Sequence, residues 1–289
     1  MALNCSHARI GENRQHVRRR WAGLFIVGLF VASWFVSGTP VGRALVAFVP
    51  VAALMIAVEL TAEPRQKLSR RECWRIRRAP MGRTLSWRRA WRVFLNIFIV
   101  SAALLTLLQT RHPHSTEMSL LRLAAGVALL YAGAAFIFEL SALLCLVAGY
   151  SLPLMHRSPI AARSVGEFWS QRWNIITSAW LRTFVLWPLA RRHSAGVGVL
   201  GCFLVSGAFH GWPMLAGLGT FAAASTVVFF VIQGVVVLAE RRLSIHTWPD
   251  AMARAWTLGI LLISSPLFID PGLRLFSLSA TSGKAGGLR

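Results

Sequence analysis

Two short stretches hold residues able to do chemistry in a chain that is otherwise largely apolar. Residues 168–174 read FWSQRWN, which gathers two indoles, a guanidinium and the amide of Asn174. Residues 203–210 read FLVSGAFH, where His210 follows about 15 almost entirely apolar positions. A polar group inside an apolar span is costly, which makes His210 and Asn174 candidate functional groups. One histidine acting as general base, assisted by neutral hydrogen-bond donors, is a reaction that such a pair suits. A structural imidazole bonded across helices is the alternative for His210. The small residues Ser206, Gly207 and Ala208 just before it would let a substrate chain or a neighbouring backbone come close. No GxSxG, HExxH, Walker A or GxGxxG pattern and no paired-carboxylate arrangement occurs. With only ten acidic residues, carboxylate-based metal chemistry is not expected, and no metal site is assigned.

The element that must position Asn174 reads as an amphipathic helix. On a helix at about 100° per residue, Trp169, Trp173, Trp180 and Trp187 fall within about 40° of one another. Glu167, Ser170, Gln171, Asn174, Thr177, Ser178 and Arg182 gather on the other side. An interfacial helix, with indoles at the headgroups and arginines reaching phosphates, accounts for the Trp and Arg residues without any catalysis. It does not account for an amide at Asn174.

The wider chain reads as a bilayer protein. It is 55% hydrophobic and 14% charged, with a mean hydropathy of +0.57. Of 31 basic residues only Lys67 and Lys284 are lysine, a skew that points to a GC-rich genome, and the expected location is a bacterial cytoplasmic membrane. The arginines sit beside apolar spans, as cytoplasmic loops require, rather than in a nucleic-acid footprint, so no nucleic-acid partner is expected. Residues 1–20 form a basic cytoplasmic tail, and no A-x-A cleavage site follows Val36, so 21–37 is a retained first span. Residues 41–60 and 93–109 are further spans, separated by a basic loop over 63–92. Residues 120–155 are one long tilted helix or two short ones, interrupted at Glu139.

Residues 195–239 fit two spans with a break at GWP, 211–213, and 256–268 is a short last span. The expectation is one all-α membrane domain over 21–268, polytopic with about seven to eight transmembrane helices plus an amphipathic or re-entrant segment. A tail over 269–289 follows, and the N-terminus lies in the cytoplasm. Cys5, Cys73, Cys145 and Cys202 show no ligand or disulfide spacing. Glu139 could pair with an arginine of the amphipathic segment or end a helix there. The histidines other than His210, His156 among them, read as solvated loop residues.

Residues 164–188 and 203–213 together resemble the wax synthase-like branch of the membrane-bound O-acyltransferases. That branch carries a Ser-x-x-(Asp/Glu)-Phe-Trp-x-x-Arg-Trp-Asn block, then Leu-Arg and Pro, then Phe-x-x-Ser-Gly-x-x-His. Here these are Ser164, Glu167, Phe168, Trp169, Arg172, Trp173, Asn174, Leu181, Arg182, Pro188, Phe203, Ser206, Gly207 and His210. The resemblance covers roughly residues 120–240. It implies a fold of that superfamily and acyl transfer from a thioester, acyl-CoA as co-substrate, to the hydroxyl of a lipidic alcohol. No bound cofactor is implied. His210 takes the role of the family's histidine and Asn174 that of its asparagine. Trp169, Trp173 and Ser206 are expected to line the substrate site. Arg172 and Arg182, from their charge and position, are expected at the phosphates of coenzyme A. Plant members usually carry Glu after the histidine, where this chain has Gly211. That departure leaves open acetyl transfer to a sugar, polyketide or terpenoid hydroxyl. From another class, a non-catalytic transporter or assembly subunit would use the same residues for anchoring and packing.

Overall fold

The computed structural model describes residues 27–33, 35–61, 77–78, 87–110, 113, 115–147, 150–151, 155–276 and 278. Helix α1 covers 27–32 and α2 Pro40–Thr61, followed by α3 Trp87–Gln109 and α4 Thr116–Val147. A run of short elements from 165 to 192 comes next, and includes α5 Val165–Glu167, α6 Ile175–Leu181 and α7 Trp187–Arg192. Then come α8 Ala195–Leu218, α9 Thr220–Arg242, α10 Asp250–Ser264 and α11 Pro266–Leu275. The chain is an all-α, polytopic integral membrane protein. Among the described residues five helices are long and apolar enough to cross a membrane, or six if α10 and α11, bent by 46°, form one span. Residues 1–26 and most of the basic loop lie outside the described residues, so the first span is seen only as α1.

Several boundaries differ from those expected, each for a local reason. Residues 116–147 form one unbroken helix, because Glu139 is not a breaker. Its carboxylate accepts from Arg92 Nε of α3 at 2.8 Å, not from the amphipathic segment. The α8–α9 turn falls at Gly219, whose φ of 90° only glycine adopts without strain, rather than at 211–213. Pro213 stays inside α8. The residues assigned to a tail from 269 instead continue as α11 to Leu275, with Ile269 and Leu273 buried against Ala103, Leu107 and Ala125. Burial of these side chains is what keeps the segment helical.

Polar side chains fasten the bundle where apolar packing alone gives no register. Arg122 donates to the carbonyls of Leu107 and Thr110, closing the C-terminal end of α3 with a cation. Arg43 Nη2 does the same for Gly217 at the end of α8, at 3.2 Å. Trp180 Nε1 donates to the Met55 carbonyl, which docks the 165–192 run onto α2. A two-residue antiparallel pairing of β1, Arg77–Arg78, with β2, Tyr150–Ser151, brings the basic loop to the same end of the bundle as the C-terminus of α4.

Helices α8 and α9 form the closest pair, and small residues let them meet. A Cβ added at Gly207 would stand 3.3 Å from Val227 Cα, and one at Gly211 3.0 Å from Val227 Cγ2 and 3.3 Å from the Ala223 carbonyl. Gly207 and Gly211 thus form a small-xxx-small face that carries His210 against α9. The Glu that plant members carry after the histidine has no room here. Gly211→Glu is therefore expected to reduce folded protein by an overpacking cost of about 1–3 kcal/mol or more. Thermal unfolding in detergent reads this, with Gly133→Ala, which meets nothing within 4 Å, as the silent control.

Candidate active site

The block holding FWSQRWN is not the continuous helix that its spacing suggests. Ser164 caps α5, its Oγ accepting from Glu167 N at 2.9 Å. Residues Phe168–Arg172 then widen into a π-helical turn, closed by Trp173 N donating to the Phe168 carbonyl at 2.8 Å. Trp173 is extended, and Asn174 sits in the left-handed region at φ 42°. There its Oδ1 accepts from Thr177 N and starts α6. A second π turn, Arg182–Leu186, precedes α7.

The break scatters the indoles that a regular helix would align. Trp169 packs among Phe203, Phe229 and Phe230 and donates from Nε1 to Gln233 Oε1 at 3.2 Å. Trp173 stacks on Phe168 and on His156, with ring centroids 5.7 and 4.4 Å apart. Trp180 is buried against Phe184 and Phe209, and Trp187 is half exposed. The common interfacial stripe is thereby overturned. A hydrogen-bonded backbone with two π turns does not keep 100° per residue.

Most of the motif residues build this shape. Glu167 accepts from Arg163 N at 2.7 Å and from Arg172 Nε at 2.6 Å. Arg172 Nη1 also donates to the carbonyls of Arg157 and Ser158. Arg172 is thus a tether that folds the turn, and it is not among the side chains facing the cavity described below. Arg182 donates from Nη2 to the Ser170 carbonyl at 3.0 Å and does face the cavity. Ser178 donates to the carbonyl of Trp169.

The block is fastened from outside by two residues of α9. Glu240, 5% exposed, accepts from Val165 N at 2.7 Å, Gly166 N at 3.0 Å and Trp256 Nε1 at 3.1 Å. Gln233, fully buried, joins Trp169 to Ser264 Oγ at 2.8 Å. Neither Glu240 nor Gln233 is among the site residues expected from sequence. Gln233 is a lone amide in an apolar helix, the available signal, whereas Arg241 and Arg242 beside Glu240 give it the look of an ordinary helix end.

A cavity of about 1220 Å³ is lined by His156, Trp169, Trp173, Asn174, Ser206 and His210 among others. The structure thus brings together every expected site residue except Arg172. His210 Nδ1 lies 2.8 Å from the Ser206 carbonyl, one turn back on α8. A carbonyl can only accept, so Nδ1 carries the proton and the neutral ring keeps its lone pair on Nε2. The ring leans on Phe230 and Phe268, with centroids 4.7 and 5.7 Å away. Asn174 uses Oδ1 in its cap, which leaves the amide Nδ2 as the donor available to a ligand. Together these atoms offer a base and a neutral donor facing one apolar-walled space.

The pattern is a known one. Residues 152–232 match the Membrane bound O-acyl transferase family. The matched block therefore runs from just before His156 to just short of Gln233. The chain is similar to Probable long-chain-alcohol O-fatty-acyltransferase 7 of Arabidopsis thaliana, 27% identical over 134 residues, covering 42% of this chain and 40% of that protein. It is also similar to Probable long-chain-alcohol O-fatty-acyltransferase 9 of the same plant, 29% identical over 154 residues, covering 46% and 45%. Sterol O-acyltransferase 2 of Mus musculus is 34% identical over 91 residues, covering 29% of this chain and 16% of that one. Each match spans less than half of the relative's own length. These likenesses uphold the resemblance to the wax synthase-like branch.

One histidine of the matched block departs from its expected solvated state. His156 is packed between Trp173 and Phe138 and accepts from Asn174 N at 3.2 Å through Nδ1. Nothing adjacent in sequence announces this, because its partners lie 18 positions on and in α4. Burial pushes its imidazole down from the usual 6.5 to about 4. Below about pH 6.5 the unfolded chain takes up a proton that the folded ring refuses. Folding stability is therefore expected to fall as pH drops from about 6.5 toward about 4, with no contribution from this ring above that window. Thermal unfolding at about pH 7 and about pH 4.5 measures it. An equal loss in His156→Phe would assign the effect to other groups.

Proposed function

We propose that the chain transfers an acyl group from acyl-CoA to the hydroxyl of a lipidic alcohol, as a wax synthase-like enzyme, in a chamber within the membrane. His210 acts as general base. Its Nε2 lone pair, left free by the Nδ1 bond to Ser206, takes the alcohol proton as the oxygen attacks the thioester carbonyl. The C–O bond forms, the C–S bond breaks, and the proton passes from Nε2 to the departing thiolate. Asn174 Nδ2 steadies the oxyanion or holds the acceptor. Apolar walls keep out water, the competing nucleophile, so ester formation outpaces hydrolysis.

The observation that carries this reading is the convergence of His210 and Asn174 on one cavity within a matched O-acyltransferase block. Arg182 and Arg241, which face the cavity at the end where α9 leaves the bundle, suit the phosphates of coenzyme A; Arg172, already tethered, does not. That end is the basic one and is cytoplasmic in this reading, with the N-terminus on the same side. Trp169 and Trp173 are walls whose positions are set by Gln233 and His156.

Membrane fractions supplied with labelled acyl-CoA and a panel of long-chain, sterol-like and small acceptor alcohols test it. Labelled ester from a lipidic alcohol is expected. Product only from acetyl-CoA with a small hydroxyl acceptor would move the reading to acetyl transfer, and no product from any pair would overturn it.

A further inference from the structure

The short segment 155–157 runs alongside residues 172–175 like one rung of a ladder. Met155 O accepts from Ile175 N at 3.0 Å and Arg157 N donates to Arg172 O at 2.9 Å. Between these two backbone bonds, the N–H of Asn174 finds no carbonyl and bonds to the ring of His156 instead, at 3.2 Å. Asn174 is a non-glycine residue at φ 42°, a conformation that costs energy and persists only where neighbours over-determine it. Its side-chain oxygen is held by Thr177 N, its carbonyl accepts from Ser178 N, and its N–H is held by His156. The imidazole is itself held, at 5.1 Å from Phe138 and 4.4 Å from Trp173 between centroids.

The tautomer follows from the bond. An N–H donor at Nδ1 requires a lone pair there, so the proton of the neutral ring is on Nε2. Nε2 is buried and has no partner among the described residues. A ring kept only for packing would not carry that unpaired donor, since a phenyl group fills the same space without the cost.

We propose that His156 is a positioning residue for the reaction: its Nδ1 accepts the Asn174 N–H and so fixes the left-handed turn that turns the Asn174 amide Nδ2 toward the cavity shared with His210. The inference rests on the acyl-transfer reading above for its catalytic consequence, but not for the clamp itself. His156 touches no reacting atom. It acts through the backbone of its neighbour, and a shift of about 1 Å in a positioned group can cost about a hundredfold in rate.

Three variants of the full-length protein separate acceptor from ring. His156→Asn places an amide oxygen where Nδ1 stood, His156→Phe keeps the aromatic stack without the acceptor, and His156→Gln carries its oxygen one bond too far. Amide hydrogen exchange of the peptide spanning 172–176 is expected to rise about tenfold at Asn174 in His156→Phe and to return near wild type in His156→Asn. In the ester assay kcat is expected to fall about ten- to a hundredfold in His156→Phe and His156→Gln with KM for acyl-CoA little changed. His156→Asn is expected to stay within about threefold of wild type. Wild-type exchange and kcat in His156→Phe would overturn the proposal. So would a His156→Asn variant no better than His156→Phe, or one that fails to accumulate, since it keeps the acceptor. A wild-type protein that makes no ester would overturn the acyl-transfer reading, while the exchange result would still judge the clamp.

Discussion

His210→Ala is expected to lower ester formation by about 10² to 10⁴ while the protein accumulates normally. The reason lies in what the residue contributes to folding and what it contributes to the reaction. Among the described residues its only hydrogen bond is to the Ser206 carbonyl of its own helix, an oxygen that already belongs to the α8 ladder. Loss of that bond leaves no distant partner orphaned. Loss of Nε2 removes the lone pair that the proposed reaction uses. An alcohol attacking a thioester near neutral pH then has no group to take its proton. His210→Gln, which keeps volume and polarity without a usable lone pair at the same basicity, should fail equally. Full turnover in His210→Ala at normal protein level would remove the general-base mechanism. Loss of the protein itself would instead show that the ring packs the α8–α9 contact.

For Glu240 the opposite split is expected, with stability lost first. Replacing it by Leu leaves the buried Val165 N and the part-buried Gly166 N and Trp256 Nε1 without an acceptor. Each orphaned donor costs about 1–3 kcal/mol, so the sum is several kcal/mol against a usual total of about 5–15. Glu240→Leu should therefore fall below the level needed to accumulate, or unfold far earlier in detergent. Glu240→Gln keeps one accepting oxygen but turns an amide N–H toward another donor, and should lie between Leu and wild type. The comparison is a thermal-unfolding series on purified protein. An unchanged transition in Glu240→Leu would mean that the three bonds do not hold the matched block to α9 and α10.

Both predictions turn on the same division of labour. In Ser164, Glu167, Arg172, Trp169 and Trp173 the motif spells out a turn, and in Asn174 and His210 it spells out the groups left over for a ligand. The sequence stretch reads as an anchor that positions an amide, and Asn174 does line the cavity. The helix that was to hold it there does not exist as a regular helix. Its place is taken by two π turns and a left-handed residue, held by bonds to segments far along the chain.

The sequence by itself determined the solvent, the class and the pair of candidate residues. Hydropathy is a property of each side chain summed over a window of neighbours, so spans such as 41–60 and 93–109 are legible without partners. An amide and an imidazole in apolar surroundings stand out for the same reason. Only the tertiary structure decided the rest. Arg172 was read as a phosphate ligand because its charge is visible and its carboxylate partner is not. His156 was read as solvated because its stacking partners come from α4 and from across a turn. Glu240 escapes notice in the sequence because the N–H groups it receives lie 75 and 74 positions away. A hydrogen bond depends on which donor and acceptor are brought within about 3 Å, and that is set by the packing of α4, α8 and α9 around the block rather than by any local pattern.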